Sequence, residues 1–312
     1  MKKVLLILMC CMAIQSVHAQ DTPKWADKAK KAVFSIVTYD KENKIKNTGN
    51  GFYIDNNGTA LSDYSLFEDA ERAVIINADG KELPVTRIAG ANSMYDVIKF
   101  RTETEKKITA LKVATQPAAV GETVYLLPYS TQKAATCQTG KVTQVDTIAD
   151  KAYYYTLTMT TSDKTVSCPI MNANGEVLGL IQKSASEEDK ESYAIGASYG
   201  ESLSISPLSA NDINLNKIGI AKALPETEDQ ALVYLYMSSS QMDAKNYLAT
   251  LNDFLQAYPN STEGYTRRAG YYMNIGDDEH NALAEADLKK AMDVSGNKTE
   301  GQYNVCLLYT SP

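Results

Sequence analysis

The sequence predicts two domains, an antiparallel β-domain that is closed or sandwiched on itself, followed by an all-α region of helical hairpins. Three observations carry that division. From Lys31 to about Ala197 the chain is a series of short β-rich runs separated by turn residues, with no helical period between them. After about Glu226 the apolar spacing becomes that of helices. Within the helical half, Thr262-Glu263-Gly264-Tyr265 recurs as Thr299-Glu300-Gly301-Gln302-Tyr303, 37 residues on, which marks an internal repeat.

The chain opens with Lys2-Lys3, an apolar run from Val4 to about Ile14, and Val17-His18-Ala19 before Gln20. A charged start, an apolar middle and an A-x-A-like site together read as a cleaved secretory signal over residues 1–19. The run falls short of the roughly 20 apolar residues of a spanning helix. Cys10 and Cys11 suggest a lipoprotein instead, but Met9 is bulky where a small residue is required, which disfavours lipidation. The mature chain is therefore expected to be exported, into a periplasm or beyond the cell, with no membrane span.

Removing the signal leaves 29 basic against 38 acidic residues and takes the formal charge from −7 to −9. An acidic chain without a Lys/Arg cluster argues against nucleic acid or an anionic membrane as partner. Three cysteines remain, Cys137, Cys168 and Cys306, so at most one internal bridge can form and disulfides are not the scaffold. Whether Cys137 pairs with Cys168 is left open by the sequence.

The β-domain is expected over residues 25–203. Its clearest runs are Ala32–Tyr39, Gly51–Ile54, Ala73–Ala78, Asp96–Phe100, Thr123–Tyr129, Ala152–Met159, Val177–Gln182 and Ser192–Ala197. Between them Asp55-Asn56-Asn57-Gly58, Asp79-Gly80 and Asn172-Ala173-Asn174-Gly175 are turn and hairpin signals. Residues 204–225, which include Pro207 and Pro225 and have neither period, read as a linker.

In the helical region, 226–312, Ala231, Tyr234 and Leu235 share one apolar face, and Tyr247, Leu248, Leu251, Phe254 and Leu255 another. Pro259 ends a helix and Ser261 can cap the next. The polar stretch Gly276-Asp277-Asp278-Glu279-His280-Asn281 reads as a loop. The chain stops at Tyr309-Thr310-Ser311-Pro312, inside what should be a helix pair, so the C-terminus reads as truncated.

Ala284-x-x-x-Leu288-x-x-Ala291, with Tyr265, Ala269 and Tyr272 ahead of it, is similar to the helix pair of a tetratricopeptide repeat; a generic helical hairpin is the alternative. Arrays of such repeats present a concave surface of first-helix residues. The resemblance therefore implies a protein or peptide partner held by Arg267, Arg268, Tyr271 and Asn274.

Over roughly residues 25–200 the β half contains a series of motifs that occur together in one known family. Gly49-x-Gly51-Phe52-x-Ile54 matches that family's G-S-G-F-I-I strand, and Asn57-Gly58-x-x-Leu61-Ser62-x-x-Ser65-Leu66-Phe67 lies over D-G-Y-I-L-T-N-N-H-V-V. Tyr95-Asp96-Val97-Ile98-Lys99, Val120-Gly121-x-x-Val124 and Gly140-Lys141-Val142-Thr143 come next, in the family's order. Pro169-Ile170-Met171-Asn172 and Gly175-x-Val177-x-Gly179 correspond to the residues after the nucleophile in G-N-S-G-G-P-L-V-N-x-x-G-x-V-x-G. By these motifs the β half resembles the HtrA/Deg branch of trypsin-like serine proteases, and the resemblance implies a trypsin-like double β-barrel.

Laid over the family's triad, the same matches put Ser65 at the histidine, Asp96 at the aspartate and Val166 at the serine. Sliding the register by one residue brings Ser167 to the nucleophile position but spoils the Pro169–Gly179 match. Independently of alignment, the chain beyond the signal contains one histidine, His280, and it lies in the helical half. The glycines that shape an oxyanion hole correspond to Lys164, Ser167 and Cys168, which lack glycine's access to φ > 0.

Other chemistry is poorly supported. A serine–lysine dyad of Ser162 or Ser167 with Lys164 requires a buried, depressed-pKa lysine, and Cys168 has no histidine partner and reads as a small buried hydrophobe. Glu187-Glu188-Asp189-Lys190-Glu191 lacks EF-hand spacing and reads as a solvated hairpin tip. No zinc spacing, P-loop or dinucleotide fingerprint occurs, so neither metal nor cofactor is expected. Two function classes stand: a catalytically inactive protease-like protein acting as a binding or scaffold module, and an active HtrA-type endopeptidase with an unconventional site.

Overall fold

A computed structural model describes residues 22–104, 108–149, 152–182 and 191–296, together with 299, 302, 303 and 306. The signal segment with Cys10 and Cys11, the charged residues 187–190 and most of the repeat echo after Asn297 lie outside the described residues.

Among the described residues, twelve strands close into two six-stranded antiparallel barrels. The first contains β1 (Val33–Tyr39), β2 (Ile45–Tyr53), β3 (Thr59–Ser62), β4 (Arg72–Ile76), β5 (Glu82–Asn92) and β6 (Val97–Thr102). Their order is β1-β2-β3-β6-β5-β4, with β4 pairing back onto β1. The second contains β7 (Thr123–Leu126), β8 (Gln138–Ala149), β9 (Ala152–Leu157), β10 (Pro169–Met171), β11 (Val177–Ile181) and β12 (Ser192–Gly196). It runs β10-β11-β12-β9-β8-β7 and closes between β7 and β10.

The turn signals act locally, as their residue types require. Asp55 accepts from the amides of Asn57 and Thr59 at 2.7 and 2.9 Å. Asn77 does the same for Asp79 and Lys81, and Asn172 for Asn174 and Glu176. Each is an Asx turn that reverses the chain before any distant contact forms. Strands without a clean apolar run escape the sequence pattern. β5 carries Pro84 and two register shifts, and much of β8 faces solvent.

Inside the first barrel Phe34, Tyr53, Phe67 and Phe100 form one aromatic cluster, with Phe34 and Tyr53 centroids 4.7 Å apart and Phe67 and Phe100 5.1 Å apart. Val124, Leu126, Leu157, Ile170, Leu180 and Ile195, all fully buried, fill the second. A short helix α1 (Ala26–Ala29) precedes the first strand and ties the N-terminal segment to the second barrel. Asp27 accepts from the Ala135 amide at 2.8 Å, and the Trp25 indole donates to the Ala173 carbonyl at 3.0 Å. Gly175 is required beneath that indole, because its φ is +76° and a Cβ there would stand 2.7 Å from Trp25 Cγ.

After helix α2 (Ala197–Ser202), the stretch 204–225 is laid against the first barrel. It contains a 3-10 turn (Pro207–Asn211) and helix α3 (Ile213–Asn216), and it buries Ile205, Ala210, Leu215, Ile218 and Ile220. The Ile88 amide donates to Ala221 and the Ala223 amide donates back to Ile88, at 2.8 and 2.7 Å. Where the sequence suggested a linker, the chain forms a strap, because its isolated apolar residues find partners on the barrel wall and on the helix that follows, where Tyr234 joins their cluster.

Among the described residues up to 296, four helices come after it: α4 (Glu228–Ser238), α5 (Ala244–Ala257), α6 (Thr262–Ile275) and α7 (Asp278–Val294). Thr227, Asp243, Ser261 and Asp277 cap them, each accepting from an amide of the first turn. The polar stretch read as a loop over 276–281 is shorter than that. Gly276 ends α6 at φ +74° and Asp277 starts α7 at once, since an Asp N-cap needs only one residue to open a helix. Ala269, Ala284 and Leu288 pack between α6 and α7. Arg87 on β5 donates from Nε and Nη2 to one oxygen of Asp253 on α5, at 2.8 and 2.5 Å, which joins barrel to helices.

Candidate functional site

Ser65 lies in a 3-10 turn just after β3, and Asp96 in the turn before β6 with φ +46°. The first barrel brings them together. The Ser65 amide donates to Asp96 Oδ1 at 2.7 Å and its hydroxyl to Oδ2 at 3.0 Å. Asp96 thus acts as the acceptor that holds the turn after β3.

Val166 lies on the second barrel, in a tight turn before β10. The Thr165 and Val166 amides both donate to the Ser162 carbonyl, at 2.8 and 3.2 Å. The carbonyls of Lys164 and Val166 accept from Asn50 Nδ2 on β2, at 3.1 and 2.9 Å. The first barrel therefore pins this loop in a conformation whose amides point inward. An oxyanion needs free N–H groups aimed at the reacting atom, and the Val166 N–H is already engaged.

Ser167 is next, with φ +63°, a left-handed conformation that costs a residue with a Cβ roughly 1–2 kcal/mol. Its side chain is fully buried and faces Asp63, at the end of β3, which is 2% exposed. Neither Ser167 Oγ nor Asp63 Oδ1 has a hydrogen-bond partner of good geometry. Burial pushes the Asp63 carboxyl well above the usual carboxylate range, the charge of Asp96 adds to that, and the nearby Ser167 hydroxyl offsets part of it. Cys168, fully buried beside them, is pushed up to about 12 by burial. Cys137, pushed up to about 11 by burial, is likewise a free thiol, so Cys137 and Cys168 are not bridged.

Sequence reasoning missed Asn50 and Asp63. Their only local signals were an amide between Gly49 and Gly51 and a carboxylate at the end of an apolar strand. Gln182 was missed too: it donates to the Tyr95 carbonyl at 2.7 Å and accepts from the Tyr154 hydroxyl at 2.6 Å, and so links β11 to the Asp96 turn.

On the helical side Arg267, Tyr271 and Asn274 line one open groove of about 600 Å³ with Tyr247, Met242 and Ile275. Arg267 pairs with Glu263 at 2.9 Å, while its buried Nε has no partner. The Tyr247 and Tyr271 rings stand 6.2 Å apart. Burial raises the Tyr247 phenol, and the Arg267 charge lowers it in part.

Arg268 departs from the expectation. It donates from Nε and Nη2 to the two carboxylate oxygens of Asp287 on α7, each at 2.7 Å, and from Nη1 to Asn252 on α5. Asp287 is 6% exposed. A buried carboxylate demands a paired cation, and that demand turns Arg268 into the helix interface and away from the groove.

Among known proteins, a family model described as "Trypsin-like peptidase domain" matches residues 49–180, from within β2 to β11 and so across both barrels. No curated protein matches the chain. Among solved structures, the serine endoprotease from Yersinia pestis matches at 15% identity and a TM-score of 0.47, covering 56% of this chain and 61% of that one. The chain thus spans less than two thirds of that protein's length. The double barrel is a trypsin-like peptidase fold, with a helical region after it.

Proposed function

We propose that this is an exported protein whose trypsin-like barrels are catalytically inactive and whose helices bind a protein or peptide partner. The observation that carries the reading is chemical: the barrels contain no imidazole, since the one histidine after the signal is His280. At the position of a base stands Ser65, engaged with Asp96. Loss of one catalytic member of a serine-protease triad costs about 10⁶ in kcat, so an enzyme of about 10 s⁻¹ is reduced to roughly one turnover a day. The inward-bonded amides at Thr165 and Val166 support the same reading.

The helices are read as tetratricopeptide-like, and the groove of Tyr247, Arg267, Tyr271 and Asn274 as the partner site. Aromatic walls around one guanidinium suit a peptide that carries a carboxylate beside an apolar side chain. Labelling of the mature chain with a fluorophosphonate tests the first half, and none is expected. Labelling lost on Ser167→Ala would favour the active-endopeptidase reading, with Asp63 as the neighbouring acid. A pull-down with wild type and Arg267→Ala tests the second half, and the variant is expected to lose the captured partner.

A further inference from the structure

A second cavity, of about 240 Å³, lies between the strap and the first two of the four helices. Its walls include Ile218 to Lys222 of the strap, Tyr234 and Ser238 of α4, and Thr250 of α5. Two of these side chains are at odds with their surroundings. Ser238 is 1% exposed, and its hydroxyl lacks a partner of good geometry although the Tyr234 hydroxyl lies beside it.

Lys222 is half-buried as a residue, but its ammonium turns inward and donates to the carbonyls of Ile218 and Ile220. Two acceptors do not replace the water that a charged ammonium loses on burial. Burial therefore pushes the amine down to about 8, with the charge of Glu71 acting the other way. The carboxylate on the wall, Asp243, already accepts from the amide and side chain of Asn246 at the start of α5.

A lysine amine that is partly neutral near pH 7 and opens onto a cavity is a nucleophile toward carbonyl carbon. We propose that Lys222 is a carbonyl-capturing amine and that this chamber takes a small aldehyde. The amine lone pair bonds to the aldehyde carbon. The carbonyl oxygen takes up the two amine protons and leaves as water, so that a Schiff base remains on Lys222. Ser238, which lines the same chamber, is assigned the relay that passes a proton to the departing oxygen. The chamber is smaller than the 300–1,000 Å³ of drug-sized sites, which limits the ligand to a few heavy atoms.

The test uses the full mature chain, glyoxylate as the aldehyde and cyanoborohydride to reduce the Schiff base at pH 7, with peptide mass spectrometry as the readout. An amine of pKa about 8 is about one-tenth neutral at that pH, against roughly one part in 3,000 for an ordinary lysine. Even with hindered access, Lys222 is expected to be labelled at least about tenfold faster than Lys41, whose side chain is 80% exposed. A bulky aldehyde, pyridoxal, is expected to lose that preference. Labelling of Lys222 no faster than Lys41 overturns the proposal, and equal preference with pyridoxal overturns the chamber as the binding site. Ser238→Ala should slow Lys222 severalfold and leave Lys41 unchanged; an unchanged Lys222 rate removes the role given to Ser238.

Discussion

The Ser65 hydroxyl donates to the Asp96 carboxylate at 3.0 Å, while the Ser65 amide donates to the other oxygen at 2.7 Å. A carboxylate that accepts two bonds from one residue is a fastener for the turn that presents it. Asp96→Ala is therefore expected to lower stability by about 1–2 kcal/mol, because charged hydrogen bonds contribute about 1.5–3 kcal/mol and this pair is partly solvated. Asp96→Asn should lose less, since Asn keeps one acceptor and tolerates the φ of +46° better than most residues. Urea midpoints of the two variants check the order.

Ser167→Gly is expected to stabilise the chain by about 1 kcal/mol. The substitution removes the left-handed strain of a residue with a Cβ and an unpartnered buried hydroxyl, against the larger unfolded-state entropy of glycine. Thermal unfolding of the variant checks the sign; a lower Tm would show that Ser167 supports Asp63 more than the geometry indicates.

Restoring side chains alone should not restore labelling. Ser65→His with Val166→Ser supplies the missing residue types, but the Thr165 and Val166 amides remain bonded to the Ser162 carbonyl, so the Val166 N–H is not available to an oxyanion. Adding Lys164→Gly, Ser167→Gly and Cys168→Gly should let the loop turn and give slow fluorophosphonate labelling. Gel fluorescence of the two variants side by side measures the difference.

Asp63 predicts a pH dependence. Its folded pKa is raised above the unfolded value of about 3.9, chiefly by burial, so the native state holds the proton more tightly than the unfolded chain. That contribution to stability is complete below the unfolded pKa and is lost as pH rises through the folded one. Asp63→Asn, which cannot ionise, should flatten the fall. Unfolding midpoints between about pH 4 and pH 9 for both proteins test it.

Arg267 and Arg268 should separate cleanly. Arg268→Ala leaves Asp287, 6% exposed, without its cation and is expected to cost about 3 kcal/mol. Arg267→Ala removes one partly solvated i,i+4 pair with Glu263, worth about 0.3–0.5 kcal/mol, and should alter partner capture with little change in Tm. Circular dichroism melts of the two variants distinguish them.

What the sequence determined by itself is whatever rests on near neighbours. The Asx turns at Asp55 and Asn172 close within four residues. The Ser261 cap reaches only to Gly264, and the glycines at 58, 175 and 276 adopt positive φ because their turns require it. The absence of a histidine from the barrels needed no structure at all. The tertiary structure decided what depends on pairs far apart in the chain. Asn50 meets Val166 across 116 positions and Arg87 meets Asp253 across 166. The inward turn of Arg268, the burial of Asp63 against Ser167 and the laying down of residues 204–225 as a strap depend on which surfaces the barrels and helices close upon. The physical reason is that a polar side chain's role is set by the acceptors, donors and dielectric around it, and distant segments supply those only once the chain is folded.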